Sequence, residues 1–325
     1  MRLPPILRLS LTTSLVACLT MAAQAADWPD RPVRFIVPFP PGGSTDTVAR
    51  TIAEKLREKI GQPVVIDNKA GAGGTIGSDI AAKAQPDGYT MLIGTSSTHA
   101  IAPGVFSALP YEPTRDFAPV TLIGAATVML VTNPSVPAKS VADLVALAKA
   151  KPELLTFASS GTGGVSHLIG EYFKSRAGIE MLHVPYKGDT PMIADLIGGQ
   201  VSLAFGTAVA FLPHVQKGAL NALAVTNATP SAIAPGLPTV AGSGLPGFEA
   251  LQWFGVLMPA KTPKAIVERM NREIVAILNL PDVRNRFVSM GIDIAASSPE
   301  AFASFMANEA VKWRKIAKDA GVKVN

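Results

Sequence analysis

Four clusters of Gly, Ser and Thr interrupt this sequence, each where a short apolar run gives way to a helical pattern: Pro38–Asp46, Gly71–Thr75, Gly94–Thr98 and Ser159–Gly164. Such loops bring backbone N–H groups and small hydroxyls to a place where a helix begins. A helix N-terminus has unpaired donors and a partial positive charge, so the chemistry favoured is capture of an anion, above all a carboxylate.

Covalent chemistry fits the same residues less well. Ser96, Ser97, Ser159, Ser160 and Ser166 are candidate nucleophiles, but none lies in Gly-x-Ser-x-Gly. Ser166 and His167 are helix neighbours, whose side chains diverge by about 100°. Ser and Thr in such loops also cap helices and hold turns, and a hydroxyl can do that and still donate to a carboxylate. Among the four histidines, His99, His167, His183 and His214, no zinc-type spacing is evident. His99 and His167 read as histidines satisfied at helix starts. Gly71-Ala72-Gly73-Gly74-Thr75-Ile76-Gly77 lacks the sixth-place glycine of a dinucleotide fingerprint, and no P-loop pattern exists. No catalytic residue, metal or cofactor is therefore expected. Lys187 stays open between a contact to a carboxylate and a solvated loop lysine. Asp46 reads as an acid complementing a helix dipole.

The N-terminus sets the compartment. Arg2 and Arg8 precede an apolar stretch from Leu9 to Met21, and Ala23-Gln24-Ala25 fits small-x-small cleavage, so residues 1–25 read as a signal peptide. Leu15-Val16-Ala17-Cys18 offers an alternative, a lipoprotein box that would leave Cys18 lipidated. Cleavage after Ala25 removes the only cysteine of the 325 residues, which excludes disulfides and thiolate metal sites. It also removes two of 29 basic residues against 24 acidic ones, leaving a charge near +3. No basic stripe is present, so nucleic acid is not an expected partner. After residue 25 no segment is long and apolar enough to span about 30 Å of hydrocarbon.

The elements that must position the clusters follow from periodicity. Val33–Val37 is a strand, and Val48, Ile52, Leu56 and Ile60 mark a helix that Ser44 or Thr45 can cap and Gly61 ends. Strands at Val64–Ile66 and Tyr89–Ile93 complete a βαβαβ unit. The plan repeats through Thr156–Ala158, a helix to about Arg176, Leu182–Val184, Met192–Ile197, Val201–Phe205, Ala208–Gln216 and Ala222–Thr226. Pro230–Gly247 reads as a long surface connection. Trp253–Met258 is a return strand, followed by helices over Pro263–Leu278, Pro281–Met290 and Pro299–Ala320. The pattern predicts an α/β chain of two lobes with two crossover connections, each lobe a mostly parallel sheet with flanking helices. Lobe 1 is expected over 26–123 plus 252–325 and lobe 2 over 124–251.

Pro32–Asp46 (PVRFIVPFPPGGSTD), Asn68–Gly74, Pro86–Thr90, Ser159–Gly163 with His167 and Glu171, Val184–Gly188 and Gly199–Val201 together resemble the Bug family. These are extracytoplasmic solute-binding proteins of tripartite tricarboxylate transporters, and the resemblance spans the whole mature chain. It implies a type II periplasmic-binding fold that clamps a ligand carboxylate between its lobes with amides, hydroxyls and bridging waters. Carried onto this chain, it points to Phe39, Gly43, Ser44, Thr45, Gly73, Thr95, Ser96, Ser159, Ser160, Gly161, Thr162 and Tyr186. Many relatives place an Asp where Gly206-Thr207 stands here. That departure favours a mono-, di- or aromatic carboxylic acid over an amino acid. The expectation is a monomeric, periplasmic binding protein that hands its ligand to membrane permease subunits. A module feeding a signalling receptor and a periplasmic hydrolase are the alternatives.

Overall fold

In this computed structural model residues 28–323 are described, so the expected signal peptide and Cys18 lie outside them. The first half runs β1 (Val33–Val37), α1 (Ser44–Ile60), β2 (Val64–Asn68), α2 (Thr75–Ala82), β3 (Thr90–Thr95), α3 (Ala102–Val105) and β4 (Phe117–Ala126). A second unit follows: β5 (Val128–Thr132), α4 (Val141–Ala150), β6 (Thr156–Ser159), α5 (Val165–Ala177), β7 (Leu182–Pro185), α6 (Asp189–Ile197), β8 (Leu203–Thr207), α7 (Ala208–Gln216) and β9 (Asn221–Val225). The chain then returns through β10 (Gln252–Pro259), α8 (Lys264–Leu278), α9 (Pro281–Ser289), β11 (Ile292–Ile294) and α10 (Pro299–Asp319).

Two sheets form, ordered β11-β4-β10-β3-β1-β2 and β7-β6-β8-β5-β9. Both are mixed. Strands β1, β2 and β3 are parallel, as are β6, β7 and β8, whereas β10 and β5 run against their neighbours. The reason is topological: a strand that carries the chain away from the crossing must run opposite to those that end there.

Each element buries what its spacing dictates. In α1, Val48, Ile52 and Leu56 are fully buried, and Gly61 closes the helix at φ +71° with its N–H on Arg57 O. Side chains of the first sheet alternate between two layers. Phe35, Val37, Met91, Ile93, Phe254 and Val256 pack with α1 and α8. Ile36, Leu92, Trp253 and Leu257 pack with Phe302, Met306 and Trp313 of α10. That second layer continues without a break into Phe157, Phe173, Phe205 and Phe248 of the other lobe, so α10 joins the two cores. Ser298 caps α10 by accepting from Ala301 N–H at 3.2 Å, with Pro299 as its first helical residue.

Three differences from the sequence reading stand out. The helical start expected after the third cluster is a π-helical turn over Ser97–Ile101 that leads into the four-residue α3. The three-residue strand β11 adds an edge to the first sheet. The Pro230–Gly247 connection is not purely superficial: Ala234 and Val240 are buried, and Val240 N–H donates to Val225 O at 2.9 Å. Its prolines and glycines reported an irregular backbone correctly but carried no information on burial.

Candidate functional site

All four glycine-rich clusters follow the C-terminal ends of strands β1, β2, β3 and β6. Strand β4 runs parallel to β3 and ends at Ala126 on that same edge, because both pair antiparallel with β10. One residue later β5 begins at Val128, opposite Thr207, the C-terminal residue of β8. The chain therefore makes its first crossing between the two carboxyl-terminal edges through a single residue, Thr127, which brings those edges together. Ligands of open α/β sheets sit outside such edges. Thr127 is fully buried, and its carbonyl accepts from Ala208 N–H at 2.8 Å while its N–H donates to Gly291 O at 2.9 Å.

In the first wall, the loop after β1 is held by Asp46. Its carboxylate accepts from Gly42 N–H at 2.9 Å, Arg50 Nε at 2.8 Å and Asn68 Nδ2 at 2.9 Å. Asn68 Nδ2 also donates to Phe39 O at 3.0 Å. Burial alone would raise the Asp46 carboxyl, but these three donors outweigh it and hold it below the usual range. Asp46 lies in the first turn of α1, where the sequence reading had it complementing the helix dipole, and its hydrogen bonds also brace the loop. The sequence reading had Ser44 or Thr45 as cap. The cap is Gly43 instead, no side chain caps α1, and Ser44 and Thr45 are already helical, so their N–H groups remain free. The hydroxyl of Ser44 lies 3.5 Å from Gln252 Nε2 on the returning chain.

Phe39 is half-buried and Gly73 exposed. Between them Gly74 has φ +94°, and a Cβ there would lie 2.7 Å from Thr98 Cγ2 and 3.0 Å from Phe39 Cζ. Only glycine lets these three loops meet. Thr95 is buried, with its hydroxyl 3.3 Å from that of Thr98. Ser96 beside it is fully buried and its Oγ has no partner.

The second wall is built on Ser159–Gly164. Ser159 Oγ lies 2.6 Å from His183 Nε2, and Ser160 N–H donates to Ser166 Oγ at 3.0 Å. Gly164 caps α5 with no side-chain bond, leaving its first amides free, and Thr162 is exposed. Gly161 adopts φ +154°, close to Tyr186 O. Gly163 N–H donates to His167 Nδ1 at 3.0 Å, so His167 is satisfied at a helix start, as expected. His167 and His183 stack with centroids 3.9 Å apart. Burial lowers their pKa values to about 3 and about 4; Lys174 reinforces both, and His183 adds to the effect on His167. The spacing argument overlooked Glu171, whose Oε1 lies 3.9 Å from His167 Nε2.

Tyr186 contributes differently from what the motif suggested. Its N–H donates to Ser159 O at 2.9 Å, but its hydroxyl is committed to Asp195 Oδ2 at 2.8 Å, with burial and that carboxylate pushing it up to about 12. Lys187 is exposed. The sequence reading passed over Asp189, which opens α6 next to Gly188 on this same edge. The one available signal was an acid directly after the glycine that caps α6.

A Ser–His contact at 2.6 Å is the geometry of nucleophile and base. Here the serine is fully buried and the imidazole, with a pKa of about 4, is a weak base at neutral pH. Free amides, aligned hydroxyls and helix starts on two facing edges suit the binding of an oxyanion instead. Among the described residues no group of three or more His, Cys, Asp and Glu is placed to hold a metal ion. No helix among them is long and apolar enough to cross a membrane.

Residues 48–322 match the model of the tripartite tricarboxylate transporter family receptor. The chain belongs to that family. It is similar to protein BugT of Bordetella pertussis, 38% identical over 301 residues that cover 92% of each chain. Among solved structures, R. palustris Rpa4515 with adipate superposes at TM-score 0.84 and 38% identity, covering 91% of this chain and 99% of that one. MatC from Rhodopseudomonas palustris with bound malate gives 0.81 at 32%, covering 89% and 99%. These receptors are binding proteins of the two-lobed α/β periplasmic fold and not enzymes, and the same holds for this chain.

Proposed function

We propose that the protein is a periplasmic solute-binding receptor that closes on a small carboxylate and delivers it to the membrane subunits of a tripartite tricarboxylate-type transporter. The observation that carries this reading is the pair of facing carboxyl-terminal edges joined at Thr127, both lined with uncapped helix starts. Phe39, Gly43, Ser44, Thr45, Gly73, Thr95 and Ser96 belong to one wall, and Ser159, Ser160, Gly161, Thr162 and the Tyr186 backbone to the other. The lobes divide as 26–123 plus 252–325 and 124–251, and the receptor acts as a monomer after its signal peptide is cleaved. Family membership supports the transporter partner, and the neighbours solved with adipate and malate support a carboxylate ligand.

Closure excludes water, so hydrogen bonds from fixed amides to the oxyanion set affinity and no bond in the ligand changes. Thermal unfolding in a panel of organic acids tests this. A ligand at 100 times its Kd stabilises by about 2.7 kcal/mol through mass action. If every carboxylate leaves the melting temperature unmoved while other solutes raise it, the reading fails.

A further inference from the structure

We propose that Asp189 selects among carboxylates in this cleft by accepting a hydrogen bond from a hydroxyl or ammonium group that the ligand carries close to its bound carboxylate. The proposal rests on the carboxylate-capture reading and deepens it.

Asp189 is tied to the anion loop by the backbone. Gly188 N–H donates to Ser160 O at 3.1 Å and Tyr186 N–H to Ser159 O at 2.9 Å, so the turn between β7 and α6 moves with Ser159–Gly161. Asp189 is the next residue along. It is open to solvent, yet enough protein surrounds it that desolvation is the leading influence on its carboxyl and raises it, while the Ser160 hydroxyl lowers it in part. That hydroxyl is already shared with Ser166 Oγ at 3.1 Å. Among the described residues no Lys, Arg or His pairs with Asp189.

The other acids of these walls are satisfied. Asp46 has Arg50, Asn68 and Gly42, and Asp195 has Tyr186. Asp189 has only the shared Ser160 hydroxyl and water, and the closure proposed above removes the water. A carboxylate desolvated without a donor is costly. A second ligand carboxylate placed there would add like-charge repulsion. A ligand O–H or N–H replaces the lost water with a charge-assisted bond. Discrimination thus comes chiefly from the penalty on acids that leave Asp189 unpaired. The sequence reading sought such an acid at the end of β8 and found Gly206-Thr207. The fold supplies one from β7, two strands away on the same edge.

Calorimetric titration of the mature protein with matched acids tests the assignment. One set is succinate, malate and aspartate; the other is adipate, 2-hydroxyadipate and 2-aminoadipate. The hydroxyl and ammonium arms identify which donor is used. A substituted acid is expected to bind about tenfold or more tighter than its plain partner, the scale of one hydrogen bond to a charged group. Asp189→Asn is expected to abolish most of that advantage by strengthening the plain acids relative to the others. Asp189→Ser serves if the Asn variant is unstable. Were Asp189 only a helix-dipole residue, both variants would weaken every acid alike and leave the ratio unmoved, which overturns the proposal. So does equal binding within each set by the unaltered protein. Binding of none of the six would instead overturn carboxylate capture itself.

Discussion

Substitution of Gly74 by alanine isolates the close approach that assembles the first wall. The residue has φ +94°, and a left-handed backbone costs a non-glycine residue about 1–2 kcal/mol. The new Cβ would also lie 2.7 Å from Thr98 Cγ2, closer than real Cβ atoms come, and a tight 3.0 Å from Phe39 Cζ. Thr98 is fully buried and bonded to Thr95 and His99, so it cannot step aside freely. Overpacking of this kind adds roughly 1–3 kcal/mol. The expected total is about 2–5 kcal/mol, a fall in melting temperature of about 4–10 °C for a chain of this size. The control is Gly178→Ala, at φ +61° with nothing within 4 Å of its Cβ, remote from the cleft at the end of α5. It bears only the backbone cost, about 1–2 kcal/mol. Thermal unfolding of both variants, with calorimetric binding of adipate as probe, separates the two effects. Gly74→Ala is expected to weaken binding at least about tenfold because Phe39 and the Thr95–Thr98 turn must shift, whereas Gly178→Ala leaves binding unchanged. If Gly74→Ala is no less stable than Gly178→Ala and binds equally well, the proposed dependence on this contact is wrong.

Acid is expected to destabilise the protein well before its carboxylates titrate. His99, His167 and His183 are held neutral, with values lowered to about 3, about 3 and about 4, mainly by burial. The unfolded chain takes up their protons near pH 6.5 and the folded one does not, so stability falls as pH drops from about 6.5 toward 4, each histidine contributing a slope of up to about 1.4 kcal/mol per pH unit. Urea unfolding at pH 7.5, 6 and 5 measures this, and a flat or rising midpoint refutes it. Gly255→Ala should be severely destabilising, since its Cβ would fall 2.1 Å from Phe302 Cζ in the layer joining the lobes. Adding Phe302→Leu should recover part of the loss; strictly additive effects would show that the two positions do not meet.

Much of the architecture was open to sequence reasoning because it rests on local rules. The α1 helix could be read from Val48, Ile52, Leu56 and Ile60, and its end from Gly61, since helical periodicity and left-handed glycine are properties of the chain itself. The order of strands and helices in both lobes followed likewise, as did the small donors of the clusters. Where the rules were weaker, the reading slipped. Ser44 and Thr45 have capping side chains, yet tertiary packing of the Asp46 network placed the helix start at Gly43. The π-turn at Ser97–Ile101 left no periodic trace because its residues pack through His99, Tyr111 and Phe117, which come together from distant positions.

The residues alone determined where glycine-rich turns lead into helix starts, because unpaired amides arise wherever a strand ends in glycine and a helix begins. Only the tertiary structure decided that those turns lie on carboxyl-terminal sheet edges joined at one residue. That depends on β4 pairing with β10 and β5 with β8, partners far apart in the chain, while Thr127 joins β4 directly to β5. It also decided that the Tyr186 hydroxyl turns to Asp195 and that Asp189 stands without a cation among the described residues, since hydrogen-bond partners are chosen by distance in space and not by position along the chain.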